Sequence, residues 1–123
     1  MVTAGRRPAD PDWSPDQGDI IYLDFDPQSG HEQAGRRPAL VLSPRAYNAT
    51  ASLALCCPLT TRVKGWPFEV AAETDLAGAK GVVLADQIKA LDWRARNGEL
   101  AARASKKVVA DVLARLKVLL PGI

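Results

Sequence analysis

Between Pro27 and Pro38 the chain runs Gln28-Ser29-Gly30-His31-Glu32-Gln33-Ala34-Gly35-Arg36-Arg37, a polar connection that gathers groups able to move a proton and hold a phosphate. Glu32 can accept a proton, His31 can act as acid or base near neutral pH, and Arg37 can grip two phosphate oxygens with its planar fork. Each has a plainer reading beside the chemical one. Glu32 and Arg37 could form an exposed ion pair contributing under about 1 kcal/mol, and a single imidazole in a polar loop could simply be solvated. Metal chemistry is disfavoured by the inventory: one histidine and two adjacent cysteines lack the spacing of a zinc site, and no clustered carboxylates suggest magnesium. No glycine-rich nucleotide cradle occurs, so no cofactor is expected.

The elements around this loop must hold it in place. Asp19 to Phe25 is rich in β-branched and aromatic residues and reads as a strand closed by Asp26 and Pro27, and Ala39 to Ser43 reads as the next. Past turn signals at Pro44 and Asn48, residues 53–59 form an apolar strand, 67–71 a short one, and 81–91 a longer strand or pair of strands. Short, closely spaced strands without intervening helices favour an antiparallel sheet curled into a small barrel. The period then changes: Val108, Val109, Val112, Leu113, Leu116, Leu119 and Leu120 form the stripe of an amphipathic helix, with Ser105 as cap and Pro121-Gly122 as stop. Cys56 and Cys57 are neighbours in a strand, point to opposite faces, and are expected as reduced, partly buried thiols.

Across its 123 residues the chain has the size of one domain, and 47% apolar with 24% charged residues excludes a disordered or fibrous class. Pro8, Pro11, Pro15 and Gly5 predict a mobile tail over residues 1–17, ahead of a domain over 18–123, with Trp13 its one adhesive residue, able to dock on the domain or on a dimer partner. No run approaches the roughly 20 apolar residues of a membrane span, and the first 16 residues lack a secretory stretch, so a cytoplasmic location is expected. Through Gly35 there are seven acids and two bases; from Arg36 onward, fourteen bases and seven acids. That asymmetry fits both a polyanion partner and a mixed solvated surface.

Residues 18–27 (Gly18-Asp19-Ile20-Ile21-Tyr22-Leu23-Asp24-Phe25-Asp26-Pro27) and 30–44 (Gly30-His31-Glu32-Gln33-Ala34-Gly35-Arg36-Arg37-Pro38 through Pro44) closely resemble the MazF/PemK toxin family. The likeness continues in order through Pro58-Leu59-Thr60-Thr61, Lys64-Gly65-Trp66-Pro67-Phe68-Glu69-Val70 and Ala85-Asp86-Gln87-Ile88-Lys89, covering about residues 18–120. The resemblance implies an SH3-like barrel with a C-terminal helix, a homodimer, and cleavage of single-stranded RNA at short sequences under the control of a cognate antitoxin. It further implies attack by the ribose 2′-hydroxyl, with Arg37, Glu32, His31 and Thr60 at the phosphate. Asp86 would join the proton transfers or orient the loop, and Gln87 and Gln33 would read base edges. Arg36 would make an outer phosphate contact. Trp66 is the best stacking candidate, with closure of the barrel as its alternative role, and loops 28–37 and 61–67 would wall the RNA groove. Two further readings stand beside this one: a non-catalytic toxin of the same fold that binds a protein such as DNA gyrase, and an SH3-like module that binds RNA or peptide without reaction.

Overall fold

The computed structural model describes residues 11–25, 35–74 and 81–123. In chain order the elements are β1 (Asp19–Phe25), β2 (Gly35–Val41), α1 (Arg45–Ala51), β3 (Leu53–Thr60), β4 (Glu69–Ala71), β5 (Val82–Leu84), a 3₁₀ turn (Ala85–Gln87), β6 (Lys89–Asp92), β7 (Glu99–Arg103) and α2 (Lys106–Leu119). The expectation of a mainly β antiparallel sheet with a C-terminal helix is met. The ladders run β4-β5-β3-β2-β1-β7, and β6 pairs with β3. No ladder joins β4 to β7 among the described residues, so the strongly curled sheet does not close a hydrogen-bonded ring.

Both faces of the central strands are buried at Ile20–Leu23 and Ala39–Leu42, which explains why those stretches read as nearly continuous apolar runs without clean alternation, whereas β2 opens on the polar Gly35-Arg36-Arg37. On one face Ile20, Leu40, Cys57, Leu59 and Val83 pack under Val108, Val112 and Leu116 of α2. On the other, Ile21, Leu23, Ala39, Val41, Ala54 and Cys56 pack with Leu91 and Trp93. Cys56 and Cys57 fall on opposite faces, free and buried. Helix α2 begins as its sequence predicts: the Ser105 hydroxyl accepts the Val108 N–H at 3.1 Å. Residues 81–91 resolve into a pair of strands interrupted by the 3₁₀ turn.

Three features depart from expectation. The segment before Gly18 does not all lie ahead of the fold: Ser14 and Pro15 are buried, and Trp13 meets Trp93 edge-on at 5.5 Å between ring centroids. The Gln17 amide donates to the Leu42 carbonyl (2.8 Å), and the Arg45 N–H donates to the Asp16 carboxylate (2.9 Å). Second, the turn signals at Pro44 and Asn48 mark a short helix. Pro44 occupies its N-cap position and Ser52 ends it in the left-handed conformation at φ 62°. Asn48 turns inward, fully buried. Its amide donates to the carbonyls of Pro15 (2.9 Å) and Ser43 (3.0 Å), and its side-chain oxygen accepts the Ser43 hydroxyl (2.6 Å). Third, β7 (Glu-Leu-Ala-Ala-Arg) has no β-branched residue to announce it; pairing with β1 makes it a strand.

Candidate active site

The end of β3 is a junction. Its first part pairs with β6, through Cys56↔Lys89, and its last residues pair with β5, through Thr60↔Val82. Between these ladders the register steps by three residues, the length of the 3₁₀ turn. The turn is therefore an excursion from an otherwise continuous edge: Ala85 stays in the core while Asp86 and Gln87 project into solvent. Glycine at 81 makes the junction possible, because a Cβ there would overlap the Thr60 carbonyl.

Thr60, Trp66, Asp86 and Gln87 line one cleft of about 180 Å³. The Thr60 hydroxyl oxygen accepts the Arg62 N–H at 3.1 Å, which leaves its proton available to donate. Trp66 is 58% exposed, so its ring belongs to the cleft and not to the interior of the sheet. Arg62 and Lys64 line the same cleft. Neither stands out individually in the sequence, although both fall in the 61–67 loop expected to wall a groove and in the base-rich part of the chain. Phe68 and Leu84 add apolar lining, and Glu69 adds a carboxylate. Burial first, and then the Asp86 carboxylate, push the Cys57 thiol up to about 12, so beside this cleft it is a neutral thiol and not a nucleophile.

Arg37 lies on β2, opposite Leu23 of β1 and half-buried. Strands β2 and β3 pair from Val41↔Cys56 to Ala39↔Pro58; Arg37 stands two residues before Ala39 and Thr60 two residues after Pro58, so each shares the face of that pair on its own strand. Arg36 takes the other face. Its guanidinium contacts the carboxylates of Asp24 (2.8 Å) and Glu99 (2.9 Å) and donates to the Asn97 carbonyl (2.7 Å). The Asn97 amide and then Arg36 hold Asp24 below the usual carboxylate range. The structure thus gives Arg36 the task of tying β1, β2 and β7 together and does not bring it to the cleft. His31, Glu32 and Gln33 lie outside the described residues. Among the described residues no three His, Cys, Asp or Glu side chains converge in a group that could hold a metal, and no helix is long and apolar enough to cross a membrane.

A strand-end threonine beside an exposed Asp-Gln turn, with bases and an open indole around them, can hold a phosphodiester and an unpaired base together. Comparison with known proteins identifies the family. The family model for the PemK-like, MazF-like toxin of type II toxin-antitoxin systems matches residues 16–120. The chain is 46% identical over 108 residues to the endoribonuclease toxin MazF of Escherichia coli, covering 86% of this chain and 94% of that protein. It is 34% identical over 110 residues to the endoribonuclease PemK of Escherichia coli, covering 85% and 81% respectively. A crystal structure of MazE-MazF from Deinococcus radiodurans superposes with a TM-score of 0.83 at 52% identity, covering 91% of this chain and all of that one. Over residues 16–120, this chain belongs to the PemK-like, MazF-like toxin family of type II toxin-antitoxin systems.

Proposed function

We propose that this protein is a sequence-specific endoribonuclease toxin that cuts single-stranded RNA without a metal ion. The observation that carries the reading is the cleft in which Thr60, Asp86 and Gln87 meet Arg62, Lys64 and Trp66, next to the strand that bears Arg37. The endoribonuclease names of relatives 34–46% identical over most of the chain support it. The ribose 2′-oxygen attacks the adjacent phosphorus, the bond from phosphorus to the 5′-oxygen breaks, and the products carry a 2′,3′-cyclic phosphate and a 5′-hydroxyl. Glu32 and His31 share the two proton transfers, from the 2′-hydroxyl and to the departing 5′-oxygen. Arg37 neutralises the phosphate oxygens as charge builds, and Thr60 donates a hydrogen bond to the same group. Asp86 orients the loop groups, while Gln87 and Gln33 read base edges that only an unpaired strand exposes.

The domain, residues 18–123 with residues 13–17 packed against it, acts as a homodimer in the cytoplasm, where its substrate is, and arrests growth until a cognate antitoxin covers the groove. The solved MazE-MazF complexes of relatives support the partner. Leu113, Val118, Leu119 and Leu120, all at least 37% exposed on or just past α2, support a further protein contact.

Purified protein should cut a long unstructured RNA in excess chelator and leave cyclic phosphate ends; sequencing the new 5′ ends gives the recognised word. Intact RNA after incubation with folded protein would exclude the activity.

A further inference from the structure

A cleft that receives RNA should be poor in negative charge, yet Glu69 lines it. Its carboxylate is occupied by the neighbouring loop. One oxygen accepts the N–H groups of Gly65 (2.9 Å) and Lys64 (3.2 Å), and the other accepts Lys64 as well (3.1 Å). The backbone of the same residue donates to the Trp66 carbonyl at 3.1 Å. Residue 69 therefore binds three consecutive loop residues. Gly65 makes this possible with φ +80°, which turns two successive N–H groups toward one anion. The far end of the loop is held by α2, where Arg115 donates to the Pro67 carbonyl at 3.1 Å. Trp66 stands between the two clamps, and the Lys64 ammonium lies over its ring, 5.6 Å from the centroid.

We propose that Glu69 is a positioning residue that fixes Lys64 and Trp66 as a one-nucleotide subsite, in which one unpaired base stacks on the indole and its phosphate meets the Lys64 ammonium. The inference rests on the RNA-cleaving reading above and names the part of the site that holds a base away from the scissile bond. A loop ordered before binding loses less freedom on stacking, so the clamp improves affinity without touching the reacting atoms.

The sign of the effect separates positioning from charge. Removing a carboxylate that merely repelled phosphate would tighten RNA binding; removing the clamp weakens it. With a short RNA substrate, Glu69→Ala should raise KM about tenfold, the scale of one lost base stack, and leave kcat within about twofold. Glu69→Gln should restore KM, because the amide oxygen can accept both N–H groups as one carboxylate oxygen does here. Trp66→Ala should match Glu69→Ala, and combining the two should cost little more than either. Gly65→Pro removes a donor and forbids the positive φ in an exposed loop without changing any charge, and should raise KM alike even if Glu69→Ala folds poorly. An abasic nucleotide moved along the substrate should raise KM at one position for the wild type and no further for Trp66→Ala. Unchanged or lowered KM in both Glu69→Ala and Gly65→Pro, with normal cleavage, overturns the subsite and leaves the endoribonuclease reading standing. If the wild type cuts no RNA, that reading falls, and a labelled DNA oligonucleotide, which lacks the 2′-hydroxyl, still tests the subsite by anisotropy: weaker binding by Gly65→Pro supports it, and equal binding overturns it.

Discussion

Arg36 and Arg37 are adjacent, identical in type, and face opposite ways. The first is surrounded by Asp24, Glu99 and the Asn97 carbonyl, and the second continues the face that leads to Thr60. No reading of side-chain type separates them; the pleat of β2 does, because consecutive residues face opposite ways. Arg37→Ala should therefore lower kcat/KM by at least about a hundredfold in protein that still folds, the scale of one lost charge-stabilising donor. Near-normal cleavage by that variant would remove Arg37 from the chemistry. The cysteines give a second check at this scale. Burial pushes both thiols up to about 12, so native protein at pH 8 should resist a thiol-specific reagent and titrate two groups only after unfolding. Rapid labelling in the native state would show that β3 opens.

Local pattern was legible wherever a strong period or a cap announced an element. Helix α2 repeats its apolar stripe over four turns and begins at a serine, and β1 combines Ile20 and Ile21 with the aromatic Tyr22 and Phe25. Helix α1 was not legible, since proline and asparagine are turn residues in most contexts and its seven residues hold no stripe. Tertiary contacts decide it: Asn48 points inward and joins the chain before β1, the loop after β2, and Trp93, whose indole N–H donates to the Asn48 carbonyl at 3.0 Å. Asn48→Ala should cost about 2–4 kcal/mol, because alanine leaves buried partners unsatisfied. A denaturant midpoint within error of the wild type would show that this network contributes nothing. The gathering of Thr60 with Asp86 and Gln87 was legible only through resemblance, because the register step that brings them together is a property of three strands at once.

At the scale of the molecule, ion pairs and capped carboxylates decide the response to acid. Asp16 is held below the usual carboxylate range first by the Arg45 N–H, Asp24 by the Asn97 amide and then Arg36, and Asp92 by the Ala95 N–H and the Ser52 hydroxyl. Each binds its proton less readily folded than unfolded. Their contribution is complete above the unfolded range near pH 4 and disappears as pH falls through the lower folded values. The melting temperature should be level from about pH 7 to 5 as far as these groups are concerned, then fall below about pH 4, and less steeply at high salt. A fall already complete at pH 5 would assign the acid response to other groups. The broad architecture was visible in composition and strand spacing, and Trp13 was legible as a docking residue, whereas the docking of residues 14–17 was hidden behind three prolines and several charges that resemble a tail.

The three-residue excursion at Ala85–Gln87 also restricts how this chain can change in length. Loops on most folds absorb inserted or deleted residues at little cost. Here the segment is the difference between two registers on the same strand, so adding or removing one residue must displace β5 or β6 by one position. Such a slip turns Val83 out of the core, or Leu91, and exchanges every face on that strand. Substitutions can tune the Asp-Gln corner, but its length is fixed by the sheet.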